Sequence, residues 1–452
     1  MRSSSSVVVI GAGLAGLAAA WRLRREGLRV TLLERAERPG GRAAAQRENG
    51  FALESAPVVL TRCDRHLLAW IEELGLRDEL LPLRPLTGAV AYLGGVRPVE
   101  VRSPFDVRRV PGVRLLQALR MVRLPRLMAR YGAALDFERP ERAAALDDRS
   151  LADFCRLYFG GSVLDRWMGP RATACGPGDP AAMSRVQFLQ DYAIHAHARP
   201  GLLRGGLDEL VDRAAAALGA RLASRAVALE QTSDGRLRVF AESGEALVAD
   251  AAVLTTHAAE AARLAGPLLS PSERGFLEGV RYAPVISVAA ALRRPLAAHP
   301  QQILVPRSEQ SPLDRVLLEP GVRGGRAPHG RGLALLRARD AFGSAHCESP
   351  DAVLEKALLE AFDALCPGAL RAVEFSRSFR VPHATPRFDV GRYRGLAGFQ
   401  RTQSEQRREG RRLYFAADYL IHPSPEGAVV SASRAAAAVA QDLAPPAPQR
   451  GA

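Results

Sequence analysis

Three glycines near the N-terminus, Gly11, Gly13 and Gly16, stand at G-x-G-x-x-G spacing, and Glu34 follows eighteen residues after the last of them. These residue types at this spacing suit the grip of a dinucleotide. Gly11 allows a tight turn, Gly13 lets the backbone approach a pyrophosphate, and Gly16 lets a helix pack closely on a strand. The helix that follows would point its unpaired N–H groups and positive dipole end at the phosphates. Glu34 can accept hydrogen bonds from ribose hydroxyls, and its charge disfavours a 2′-phosphate, so NADP is not expected.

The flanking elements give this spacing its weight. Val7–Ile10 is a short β-branched run, as a buried parallel strand requires. Leu17–Arg25 reads as a helix ended by Gly27, and Leu28–Leu33 as a second strand that delivers Glu34. Further along, a helix is predicted over 64–74 and a hairpin over 88–101, turning at Gly94-Gly95. Residues 104–200 read as mostly helical and basic. The α/β pattern returns over 205–257, with strands at 225–230, 237–241 and 251–255 after a helix over 206–218. Residues 283–292 and 331–338 read as strands of a second sheet, 349–365 as a helix, 413–416 as a strand and 427–443 as a helix. The tail after 444 is rich in Pro and Ala and is expected to be disordered.

Composition narrows the classes. The chain has 452 residues, 47% hydrophobic and 24% charged, as soluble multi-domain proteins do. The net charge of +14 invites a nucleic-acid reading. Yet 62 basic residues include a single lysine, Lys356, and aromatics are 6%, so the charge reads as compositional bias and no nucleic acid is expected. Cys63, Cys155, Cys175, Cys347 and Cys366 form no C-x-x-C pair, so neither a structural metal nor a disulfide framework is expected, and a cytoplasmic location is. The apolar start, 7–20, is read as retained and not as a cleaved signal, because glycines break it at fixed spacing.

Three separated segments carry a resemblance: VVVIGAGLAGLAAAWRL with LLERAERPGGRA (7–23 and 32–43), RGGLDELVDRAAAALGARLASRAVALE through ADAAVLTTHA (204–258), and RRLYFAADYLIHPSPEGAVVSASRAA (411–436). In these the chain resembles the flavin-containing amine oxidase superfamily, most of all its protoporphyrinogen oxidase and carotenoid (phytoene) desaturase branches. The resemblance implies noncovalently bound FAD, since no Cys or His stands in an evident flavin-linking motif. It implies a cofactor-binding set of Gly11, Gly13, Leu14, Ala15, Gly16, Glu34, Arg35, Gly41, Arg42, Val227, Asp418, Gly427, Ala428 and Val429. Arg42, on its Gly-Gly turn, would lie beside the pyrophosphate or flavin. Val227 would meet adenine through its backbone, and Asp418 the ribityl hydroxyls or a pyrophosphate-bound water. The helix opened by 426–429 would point its N–H groups at the flavin pyrimidine carbonyl. The chain has Ala417 where the family often has glycine.

The implied fold is a discontinuous Rossmann-like α/β FAD-binding domain with a mixed-sheet α+β substrate domain and a helical insert. The expected division is 1–87, 201–265 and 406–444 for the FAD-binding domain, 88–103 and 266–405 for the substrate domain, 104–200 for the insert, and 445–452 for the tail. The implied reaction is dehydrogenation of a hydrophobic or tetrapyrrole-like small molecule. Amine oxidases of the superfamily hold a lysine on a strand resembling 283–292; this chain has none there, so amine or amino-acid oxidation is the second reading. A binding protein built like the Rab GDP-dissociation inhibitors is the non-enzymatic alternative. The catalytic residues cannot be read; His383, Thr385 and Arg387, in SFRVPHATPRFDVGRY, are the candidates to meet substrate, and His257 ranks below them. Over 106–130 seven arginines alternate with apolar residues, and Pro125 is expected to break or kink the helix. That pattern fits either peripheral membrane contact or a helical cap with solvated arginines; the arginine bias favours the cap.

Overall fold

The computed structural model describes residues 5–444, other than 57–58, 62, 83–87, 102, 196–199 and 324. The expected disorder of 445–452 lies outside the described residues.

A four-stranded parallel sheet is assembled from three distant parts of the chain, in the order Leu413–Phe415, Ala251–Leu254, Ser6–Ile10, Arg29–Leu33. The central strand is apolar at every position from Val7 to Ile10 because both faces are covered. Val7 and Val9 pack under the helices Leu14–Arg25, Leu207–Leu218 and Pro425–Leu443. Val8 and Ile10 pack toward the antiparallel strands Ala226–Gln231, Leu237–Ala241 and Ala246–Ala249 and the helix Ala258–Ala265. The alternation follows from the period-2 pleat.

A seven-stranded mixed sheet runs Val373–Pro386, Tyr282–Leu292, Gly332–Ala338, Leu313–Pro320, Gln302–Leu304, Gly88–Tyr92, Gly95–Pro98. The early hairpin joins it through a parallel pairing with Gln302–Leu304. The helix Asp351–Leu365 covers one face. The helical insert has its own core around Phe154, Phe159, Trp167 and Phe188. Within it a continuous helical run passes from Gly161–Val163 through a π-helical turn, Leu164–Met168, into Gly169–Cys175. Pro170, which cannot donate to an α-helical ladder, is the second residue after the wide turn.

Several elements differ from the expectation. The helix Arg392–Arg408 crosses the boundary expected at 405/406, and its Leu396 and Phe399 pack with Leu277 on the four-stranded sheet's second face. The strand pair Gln46–Glu48 and Phe51–Leu53 lies in the segment assigned to the nucleotide domain, yet Phe51 and Leu53 pack on the seven-stranded sheet. Pro125 breaks nothing: it sits in the first turn of the helix Arg123–Tyr131, where its missing N–H costs no hydrogen bond, and a single 3-10 turn links that helix to Leu115–Leu119. The last helix starts at Pro425, two residues early, because Ser424 caps it by accepting from the Gly427 N–H at 3.1 Å. Among the described residues no helix is long and apolar enough to cross a membrane.

Candidate active site

A cavity of about 1570 Å³ lies between the two sheets and reaches the insert. It exceeds the roughly 300–1,000 Å³ of a pocket for one drug-sized ligand, and so has room for a dinucleotide and a second molecule.

One end of it is built by the glycine loop. Gly11 has φ +107°, and a Cβ there would lie 2.8 Å from Thr255 Oγ1. Gly16 is packed tighter: a Cβ would lie 1.7 Å from the Gly11 carbonyl oxygen. Thr255 supports the loop from behind, its hydroxyl 2.8 Å from the Ile10 carbonyl and 2.9 Å from that of Gly11. Gly13 and Gly41 are small for another reason. A Cβ on either would meet no protein atom closer than 3.9 Å, and both line the cavity. Their missing side chains leave space on the cavity side alone, as a closely approaching cofactor requires. Gly13 caps the helix Leu14–Arg25 with no side-chain acceptor, so the helix's first N–H groups have no cap there. This cradle fits the pyrophosphate of a dinucleotide.

Glu34 accepts from the Ala12 N–H at 2.7 Å and the Ala36 N–H at 2.9 Å, which fixes its carboxylate at the loop's edge. Each oxygen keeps lone pairs for ribose hydroxyls. Arg42 lies where three parts of the chain meet: its Nη1 donates to Asp418 Oδ2 and to the Ala384 carbonyl, both at 2.6 Å. Glu426 caps the neighbouring helix Arg65–Glu73, accepting from the His66 and Leu67 N–H groups at 2.9 and 2.8 Å.

Of the residues singled out in the sequence, Gly11, Gly13, Leu14, Ala15, Glu34, Arg35, Gly41, Arg42, His257, Thr385, Asp418 and Ala428 line the cavity. Gly16 supports the loop from beneath. Val227 does not line it: it sits at a bulge in its strand, its carbonyl taken by Arg263 at 3.0 Å, and Ser224, Arg225 and Ala226 form the wall instead. Val429 is buried in the core, and Gly427 is set against the His422 carbonyl, so of the helix's early residues Pro425 and Ala428 reach the cavity. Arg387 is held by Asp389 at 3.2 Å and is not part of the lining. His383 is exposed; its ring meets those of His257 and Tyr282 edge-on, with centroids 5.5 and 5.6 Å away. Burial and the Arg42 charge push His257 down to about 4, so its ring is neutral at physiological pH.

Sequence reasoning missed the cavity's other wall. Trp167 and Arg171 come from the π-turn and the helix after it, and Arg315 and Arg337 from the seven-stranded sheet. His422 and Asp191 were missed too: both line the cavity, with His422 Nε2 3.2 Å from Asp191 Oδ1 and His422 Nδ1 3.0 Å from Ser424 Oγ. Cys175 is exposed to the cavity, where desolvation, then Asp191, push its thiol up to about 12, which keeps it protonated and a poor nucleophile. The lone lysine, Lys356, is exposed and lies 3.9 Å from Glu360 on the outer helix.

A family model described as flavin containing amine oxidoreductase matches residues 14–440. A phytoene dehydrogenase of Streptomyces griseus is 32% identical over 286 residues, which cover 58% of this chain and 56% of that protein. A chloroplastic/mitochondrial protoporphyrinogen oxidase 2 of Arabidopsis thaliana is 24% identical over 191 residues, 42% of this chain and 36% of that protein. The chain thus spans about half of the length of these curated relatives, or less. The cyclohexylamine oxidase structure from Brevibacterium oxydans IH-35A superposes with a TM-score of 0.74 at 17% identity, over 98% of this chain and 100% of that one; at such identity the likeness is one of fold. With a match that runs over nearly its whole length, the chain belongs to the flavin-containing amine oxidoreductase family.

Proposed function

We propose that the protein binds FAD noncovalently and dehydrogenates an apolar small molecule. The observation that carries this reading is the continuity of one cavity, from the glycine cradle at Gly13 and Gly41 to an apolar chamber walled by Ala89, Val90, Leu304, Val285, Phe379 and Trp167. FAD, when bound, supplies a hydride acceptor at its N5. The chain's part is to bind, orient and exclude water. The loop and the helix N-terminus would hold the pyrophosphate, Glu34 the ribose, and Asp418 with Arg42 the middle of the cofactor. The apolar wall dries the substrate and strengthens every charge interaction inside. The test is the visible spectrum of the purified protein. A yellow protein should release all its colour to the supernatant on acid precipitation, and should bleach anaerobically with a porphyrinogen or a carotenoid precursor. A colourless protein sinks the reading, and colour kept in the pellet sinks the noncovalent part.

We further infer that the insert docks on an anionic bilayer. Leu115, Leu116, Leu119 and Val122 share one stripe and are 61%, 77%, 40% and 54% exposed, while Met121, Leu124 and Leu127 face away from it into the insert's core and Ala118 is buried. Phe105 is exposed beside them, and Arg114, Arg120, Arg123 and Arg126 flank the stripe. Apolar residues with an arginine border match the acyl and headgroup layers of an anionic membrane interface. The protein is expected to float with phosphatidylglycerol-containing vesicles at low salt. Replacing Arg120, Arg123 and Arg126 with Glu should abolish flotation and leave the flavin spectrum unchanged. Wild-type protein that stays unbound identifies the insert as a cap with solvated arginines.

A further inference from the structure

The cavity wall formed by the seven-stranded sheet carries an uncompensated positive charge. Arg315 and Arg337 face each other on the neighbouring strands Leu313–Pro320 and Gly332–Ala338. Both line the cavity, and both donate to one carbonyl, that of Ala174, at 3.3 and 3.2 Å. Arg337 is neutralised: its Nε and Nη2 donate to the two oxygens of Asp314 at 2.8 and 3.0 Å. Arg315 is not. Among the described residues it makes no ion pair, and its Nε has no hydrogen-bond partner. Arg171 lines the same wall, 5.3 Å from the centre of the Trp167 ring, and has no acidic partner among the described residues either. Asp314 is committed to Arg337, while Asp191 lies with its Oδ1 3.2 Å from His422 Nε2. Burial, then the charge of Arg337, push Arg315 down to about 10, which still leaves it charged at neutral pH.

A charged guanidinium held without a partner in a largely apolar wall is costly, and the cost is relieved only when an anion arrives. Its planar fork matches a carboxylate bidentately. An ammonium group would meet net repulsion, because three arginines here face two carboxylates, those of Asp314 and Asp191.

We propose that Arg315, aided by Arg171, binds a carboxylate carried by an otherwise apolar substrate. This rests on reading the cavity as the substrate's, and it selects acids over amines and over unfunctionalised hydrocarbons.

Three probes that share one chain and differ in head group test it: dodecanoate, methyl dodecanoate and dodecylamine. Binding to the flavin-loaded protein is read by the shift of the flavin band and by tryptophan quenching. Dodecanoate should bind best and dodecylamine worst. Arg315→Gln should weaken dodecanoate roughly 30-fold or more and leave the ester unchanged. Arg315→Lys should recover part of the loss, and Arg171→Gln should give a smaller one. Equal affinities for the three probes on the wild-type protein overturn the proposal without need of any variant; so does an Arg315→Gln protein, folded by its melting curve, that binds dodecanoate as the wild type does. A protein purified without flavin sinks the redox reading, while tryptophan quenching still ranks the head groups and judges the anion subsite separately.

Discussion

Gly13→Ala is expected to leave the melting temperature of the flavin-free protein unchanged and to weaken flavin binding roughly 100-fold, the scale of two charge-assisted hydrogen bonds to phosphate at about 1.5 kcal/mol each. The effect is steric. Gly13 has φ −76°, where alanine is comfortable, and its would-be Cβ meets nothing nearer than the Gly40 carbonyl at 4.0 Å. The added methyl therefore projects into the cavity, where it would hold the pyrophosphate off the N–H groups of the Leu14–Arg25 helix. Gly16→Ala should behave differently. Its Cβ would lie 1.7 Å from the Gly11 carbonyl oxygen and 2.7 Å from Thr255 Oγ1, so strand and helix must part, at a cost of about 3 kcal/mol or more. Flavin is then lost together with stability. Flavin-fluorescence titration beside calorimetry of the apo-proteins separates the two. If Gly13→Ala binds flavin like the wild type, the cradle does not hold the cofactor.

The contrast between these glycines also shows what a sequence displays and what it hides. The glycine-loop end was legible because its requirements are local: a β-branched run, glycines at fixed spacing, a helix and an acid all lie within 35 residues. The wall with Arg315 and Arg337 was not. Each is one arginine inside a short apolar strand, LDRVLLEP and GLALLRA, in a chain where nearly every basic residue is arginine. Only the register that sets the two opposite one another marks them out. Val227 was expected at the adenine, but it lies at a bulge outside the cavity lining, which Ser224–Ala226 form instead, and a bulge leaves little trace in a strand pattern. The helix Arg392–Arg408 escaped because it buries just Tyr393, Leu396, Phe399 and Gln403, a stripe too narrow to stand out among its charges.

That helix helps to form the buried ion site with the largest expected effect on stability. Arg411 enters the last strand of the parallel sheet and donates to both oxygens of Glu273, and the Gln403 amide donates to the same carboxylate. The two charged side chains are 7% and 0% exposed. Glu273 also closes the capping box of the helix Pro271–Glu278, accepting from the Ser270 N–H at 2.9 Å. Burial would raise this carboxyl, but the hydrogen bonds from Arg411 and Ser270 and the Arg411 charge outweigh burial and hold it below 4.5. Arg411→Met leaves a buried carboxylate without its cation and should cost about 3–5 kcal/mol at pH 7. Adding Glu273→Gln removes the stranded charge and keeps the capping acceptor, so the double variant should recover more than half of that loss. The pH dependence has a definite sign. With a depressed folded value, wild-type Glu273 contributes stability that is present above pH 4.5 and lost as the pH falls through its lowered value. In Arg411→Met burial prevails, the carboxyl rises, and protonation relieves the strain, so the deficit against wild type should narrow on going from pH 7 to pH 5. Urea unfolding midpoints of the three proteins at the two pH values measure this. A deficit below about 1 kcal/mol at pH 7 would place the pair among weak exposed bridges, and a double variant no better than Arg411→Met would show that the stranded charge is not the cause.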